Sequence, residues 1–187
     1  MRKRWSILIL LLLVFPAGKT EAQKFAQKTN LLYWLTTTPN IGSEFTLHYN
    51  WTADLSVAYN PWSFPDNASL RHWLLRAEPR YWFWKPFMGH FLGVHGTYAQ
   101  YNIGNIPFIP DLDEHTYKGN MYGGGLTYGY HIVSKGSWGV ELSLSVGYLQ
   151  LNYDKYLCSE CLEKTGSFKR SYFGPTRIGI SLVYIIR

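Results

Sequence analysis

Along most of the chain, apolar and polar residues alternate one by one, in runs of about ten residues that end at Gly, Pro, Asn, Asp or Ser. A period of two puts successive side chains on opposite faces of a strand. The pattern predicts eight strands, at residues 26–35, 41–49, 53–62, 73–82, 91–101, 121–131, 138–148 and 177–186. In the seventh, Trp138, Val140, Leu142, Leu144, Val146 and Tyr148 form one face, and Gly139, Glu141, Ser143, Ser145 and Gly147 form the other. In the last, Ile178, Ile180, Leu182, Tyr184 and Ile186 oppose Arg177, Gly179, Ser181, Val183 and Ile185. The stretch LLRAEPRYW, residues 74–82, sets Arg76, Glu78 and Arg80 against Leu75, Ala77, Pro79 and Tyr81.

The connections at 50–51, 83–90 and 132–137 are short, and those at 63–72, 102–120 and 149–176 are longer. An even number of such strands, with short turns at one end and longer loops at the other, predicts an all-β fold. The expected architecture is an eight-stranded antiparallel up-and-down transmembrane β-barrel of the outer-membrane type. Trp and Tyr gather near strand ends, as at Tyr49, Trp51, Trp62, Trp73, Tyr81, Trp82, Tyr101, Trp138 and Tyr148, where interfacial girdles belong. On this reading the apolar faces meet lipid, and Glu44, Asp54, Arg76, Glu78, Arg80, Glu141 and Arg177 form structural ion pairs in a narrow lumen. Side chains fill a lumen of eight strands, which argues against a general diffusion pore. Pro79 lacks an N–H and calls for a bulge if its strand is paired on both sides.

The first 22 residues carry Arg2, Lys3 and Arg4 ahead of an apolar run from Ile7 to Phe15, the layout of a secretory signal peptide cleaved before Gln23. The run is too short to span a bilayer as a helix, which takes about 20 apolar residues. Residues 23–187 then form a single β-barrel domain. The whole chain has 18 Lys+Arg and 12 Asp+Glu; without Arg2, Lys3, Arg4, Lys19 and Glu21 the counts are 14 and 11, so the net charge falls from +6 to +3. No stripe of cations interleaved with stacking aromatics remains, which argues against a nucleic-acid partner.

Candidate chemistry is sparse. Cys158 and Cys161, in CSEC, fall in the longest connection and suit a local loop disulfide in an exported protein. A single Cys pair is a poor zinc site, since zinc takes four ligands, and no metal or cofactor is expected. Ser143 and Ser145 share a polar face with Glu141, and His95 is a candidate base, but sequence spacing does not assemble them, and no catalytic residue is assigned. Gly123, Gly124 and Gly125 lack the strand-loop-helix context of a phosphate loop and suit a bend in the wall.

The terminal RIGISLVYIIR resembles the last-strand signal read by the outer-membrane barrel assembly machinery, with Arg177, Gly179, Leu182 and Tyr184 at its places and Arg187 where an aromatic is usual. More broadly, KTNLLYW (28–34), YNPWSF (59–64), HWLLRAEPRYW (72–82), GHFLGVHGTYAQYN (89–102), YGGGLTYGY (122–130), NYDKYLCSEC (152–161) and YFGPTRIGISLVYI (172–185) resemble a small exported outer-membrane barrel family. That family, labelled only as a domain of unknown function, is widespread in Bacteroidetes, often beside fimbrial genes. The resemblance implies cell outer membrane localisation, contact with outer-membrane lipid and the assembly machinery, and a structural or surface-interaction role linked to fimbria assembly or anchoring through a fimbrial or other surface protein. It implies no activity. Two alternatives stay open: a lipid-modifying barrel enzyme, and a secreted soluble barrel that turns its apolar faces inward around a ligand.

Overall fold

The computed structural model describes residues 25–63, 69–104, 116–134, 136–156 and 164–186. Residues 1–22, read from the sequence as a signal peptide, and Cys158, Cys161 and Arg187 lie outside the described residues. Eight strands run up and down around a closed barrel: β1 (Phe25–Asn30), β2 (Asn40–His48), β3 (Trp51–Asn60), β4 (Ser69–Trp82), β5 (Gly89–Gly104), β6 (Thr116–Val133), β7 (Trp138–Tyr156) and β8 (Lys164–Ile186). Each strand pairs antiparallel with the next, and β1 closes on β8 from Phe25↔Ile186 to Asn30↔Ser181. One short helix, α1 (Leu31–Leu35), follows β1.

The stagger of the barrel can be read from the pairing. Starting at Lys28, the partners run Gly42, Ser56, Arg76, Thr97, Gly123, Leu149 and Tyr172. Lys28 itself pairs with Val183, eleven positions beyond Tyr172, and a register shift at Ser145/Val146 takes up one of them. A stagger of about ten residues over eight strands belongs with strands tilted by roughly 35–45° to the axis.

The two rims differ. At the lower end the strands finish level with one another, through His48↔Trp51, Trp51↔Tyr81, Gly89↔His131, Val133↔Gly139 and Trp138↔Tyr184. At the upper end they lengthen steadily, from 6 residues in β1 to 14 in β4 and 23 in β8. The barrel is therefore low at β1–β3 and tall at β5–β8. Much of what the sequence predicted as the connections 102–120 and 149–176 is strand, because their residues keep pairing after the apolar alternation stops.

The first predicted strand also ends early. Leu31–Leu35 reads LLYWL, without alternation, and Asn30 caps a helical turn by accepting a bond from the Leu32 N–H at 3.1 Å. Asn30 also meets the free edge of β8, accepting from the Ile180 N–H at 3.3 Å.

Pro79 causes no bulge. The β4–β5 pairing runs through Ala77↔Gly96, skips Glu78 and Pro79, and resumes in the same register at Arg80↔Gly93, so the missing N–H costs a gap in the ladder and no shift. Glycines on β6 lie close against the β7 backbone. A Cβ on Gly123 would stand 2.0 Å from the Tyr148 carbonyl, and one on Gly125 would stand 2.2 Å from that of Val146. Gly125→Ala is accordingly expected to lower the stability of the folded barrel by about 1–3 kcal/mol in urea unfolding. Gly96→Ala, where a Cβ would meet nothing within 4 Å, should leave it within about 0.5 kcal/mol.

Candidate functional site

The closed wall has an inside and an outside, and each strand's parity decides which residues occupy them. Inward lie Lys28, Glu44, Asp54, Arg76, Glu78, Arg80 and Glu141, all buried. Outward lie Ile41, Leu55, Val57, Leu75, Val94, Leu126, Leu144 and Ile178, each at least 43% exposed. The charges of LLRAEPRYW face inward and its apolar residues outward, the reverse of what a soluble barrel around an apolar ligand requires.

The inward charges make two connected groups. In the lower one, Arg80 reaches Glu44 at 3.0 Å, Glu78 at 2.8 Å, Glu141 at 3.0 Å and Asp54 at 3.8 Å. Lys28 pairs with Glu44, with Glu141 at 2.7 Å and with Asp54 at 3.4 Å. Thr52 donates to Glu44 and accepts from the Trp82 indole N–H at 2.9 Å. In the upper group, Arg76 donates to Glu78 at 2.7 Å, Thr127 at 2.9 Å and Ser145 at 2.8 Å, and Thr127 donates to Glu78 at 2.9 Å. Glu78 joins the two groups, lying between Arg76 and Arg80 on its own strand. Its side chain passes across Gly93, where a Cβ would stand 2.8 Å from Glu78 Oε1.

Below these charges the lower end is closed by an apolar cluster of Ala26, Trp82, Phe87, Phe91, Val183 and Ile185. Trp82 and Phe91 are fully buried, with ring centroids 4.8 Å apart, and the Arg80 guanidinium lies 4.5 Å above the Phe91 ring. Phe87, in the turn after β4, takes a positive φ of 64° and folds back into the cluster. Trp82, predicted as a girdle residue, is thus an interior plug. Its neighbour Tyr81 faces out, as the alternation of LLRAEPRYW implies.

Arg177 stands apart. It faces inward on β8 opposite Ser145, takes part in no ion pair among the described residues, and lies 5.9 Å from the Tyr33 ring, with its Nε unpartnered. Within the terminal segment, Arg177 and Gly179 face the interior, while Leu182 and Tyr184 face out along the seam, opposite Thr29 and Gln27 of β1.

The predicted candidates His95, Ser145 and Glu141 bond to other partners among the described residues. His95 meets Thr127 at 3.2 Å and Thr176 at 3.1 Å, Ser145 is bound by Arg76 and Thr127, and Glu141 belongs to the lower group. Sequence reading passed over Lys28, Thr52, Thr127 and His131 as interior residues. Lys28 alternates with Ala26 and Asn30, but the opposite face of β1, with Gln27 and Thr29, is not apolar, so that strand carries no contrast to betray it. His131 is buried against Trp82, with both ring nitrogens unpartnered among the described residues.

The Arg80→Ala variant leaves Glu44, Glu141 and Asp54 short of a cation and should lose about 3–5 kcal/mol in urea unfolding. Arg177→Ala, which breaks no ion pair, should lose less than about 1 kcal/mol. Equal losses would remove the distinction between the two sites.

One family model, described as a protein of unknown function (DUF3575), matches residues 7–186 of the chain. No curated protein and no solved structure matches it.

Proposed function

The chain belongs to this family of proteins of unknown function, and from its inside-out barrel we propose that it is an outer-membrane β-barrel that serves as a closed structural wall and surface platform. One observation carries the reading: the apolar side chains form a continuous outward belt, while the charges are enclosed and paired. Aromatic residues edge the belt at two levels. Trp51, Tyr81, Trp138 and Tyr184 lie near the level rim, and Tyr59, Trp73, Tyr98, Tyr122, Tyr148 and Phe173 lie on the outward face higher up. On β7, Trp138 and Tyr148 are ten residues apart, which at roughly 3.4 Å per residue and a tilt near 45° is about 24 Å along the axis. A lipid-facing band is about 25 Å tall.

The level rim, with its short turns, then faces the periplasm, and the tall strands rise toward the exterior. Plugged below by Trp82 and Phe91 and crossed by ion pairs, the interior is a poor route for solutes, with Lys28, Arg76 and Arg80 bound to its carboxylates. The finer role, holding a fimbrial component or another surface protein at the tall rim, rests on the sequence resemblance alone.

Fractionated cells should hold the protein in the outer membrane, running as a heat-modifiable band on gels without boiling. Recovery as soluble protein without detergent would end the reading. In a bilayer, Leu144→Arg, midway along the belt, should cost about 2–4 kcal/mol of folding free energy. An unchanged stability would place that face in water.

A further inference from the structure

The outward face does not end at the upper aromatic level. On the tall side it continues as a polar surface arranged in rows across neighbouring strands. One row runs Arg71, Asn102, Lys118, Asp154 and Ser167, and the row beneath it runs Trp73, Gln100, Asn120, Asn152 and Lys169. Three cations and one carboxylate stand there, and Asp154 accepts a bond from Ser167 at 2.8 Å. Arg71 and Lys169 are exposed, and the Lys118 ammonium lies 4.8 Å over the Tyr156 ring. An open hollow of about 460 Å³ lies between Lys118, Asn120, Asn152, Asp154 and Lys169.

The aromatic level is hydrogen-bonded to polar side chains of the same wall. Trp73 donates its indole N–H to Gln100 at 3.0 Å, Gln100 donates to Tyr98 at 3.1 Å, and Tyr148 donates to Ser171 at 2.7 Å, which donates to Gln150 at 3.0 Å. Rings at the edge of the belt are thereby bonded to the polar side chains of Gln100 and Ser171, so belt and polar wall make one continuous surface.

From this continuity we infer that the outer face of the tall wall, with Arg71, Lys118 and Lys169, binds the phosphorylated saccharide headgroup of an outer-leaflet glycolipid. The inference rests on the outer-membrane reading and names the lipid that reading leaves open. Height decides between headgroups. Asn152, the register partner of Lys169, is four residues above Tyr148, and Asp154, the register partner of Lys118, is six above it. At roughly 3.4 Å per residue and a tilt near 45° these cations stand about 10–14 Å beyond the aromatic edge. The headgroup zone of a phospholipid leaflet is only about 5–8 Å deep, so its phosphate falls short of both lysines. A saccharide carrying phosphates on its sugars reaches them, and the Asn and Gln amides between the cations suit sugar hydroxyls, as donors and acceptors both. Lysine binds a phosphate as a point charge, which an open and hydrated hollow accommodates.

The test places the purified full-length barrel in phosphatidylcholine nanodiscs that contain either lipopolysaccharide with a phosphorylated inner core, the same lipid after chemical dephosphorylation, or phosphatidylglycerol. Lipid retained per barrel is then counted by native mass spectrometry. The wild type should retain the phosphorylated glycolipid at least tenfold better than either of the others. The triple variant R71Q/K118Q/K169Q should lose that preference while keeping its heat-modifiable band, and K118R/K169R should keep the preference. Equal retention by the triple variant, or phosphatidylglycerol held as well as the glycolipid, overturns the inference and leaves the membrane reading standing. A protein that enters no nanodisc overturns both.

Discussion

Charges shut inside a narrow barrel must find opposite charges there, and that requirement ties this structure together. Arg80 on β4 and Lys28 on β1 share three carboxylates, Glu44 on β2, Asp54 on β3 and Glu141 on β7. The lower group thus joins five of the eight strands and reaches across the interior as well as along the wall. An ion-pair group of this kind is weak evidence for net stability, since a well-packed apolar core of similar volume is often as stable. Its geometric effect is plainer. A slip of one residue in any of these strands would turn its charge to the apolar exterior and leave its partners unmatched within.

The interior changes character from bottom to top. At the level rim it is closed by Trp82, Phe87 and Phe91; above them lie the two charged groups, the upper one including Thr127 and Ser145, with His95 bonded to Thr127. Arg80 belongs to two of these layers, being both ion-paired and stacked on Phe91. Because the bulk of Trp82 and Phe91 sits where β4 and β5 turn, the short connection after β4 completes the plug by turning Phe87 inward. Small residues make the space: a Cβ on Gly129 would stand 2.3 Å from the Phe91 ring, and one on Gly93 would strike Glu78.

The exterior is organised by the slope of the upper rim. Strands that finish together below but lengthen from β1 to β8 carry a belt of even height and, on one side only, a polar wall above it. The seam shows how the low side is finished. β1 stops at Asn30, whose side chain caps α1 and at the same time meets the β8 backbone at Ile178 and Ile180. A single asparagine thereby ends the ladder and turns the chain without leaving those groups orphaned.

The alternation of side chains by itself determined the eight strands and which face of each is apolar, because that pattern is local and has a period of two, and the lengths of the connections set their antiparallel order. It placed Glu44, Asp54, Arg76, Glu78, Arg80 and Glu141 together on the polar faces, and the structure sets them all inside. It did not reveal how far β6, β7 and β8 extend, since residues 117–120 of β6 and 169–172 of β8 keep pairing without an apolar face. Nor did it show that Lys28 joins the charges or that Arg177 stands outside them. Which charge meets which depends on the stagger between strands far apart in the chain and on the closure of β8 onto β1, and only the tertiary structure brings those strands together.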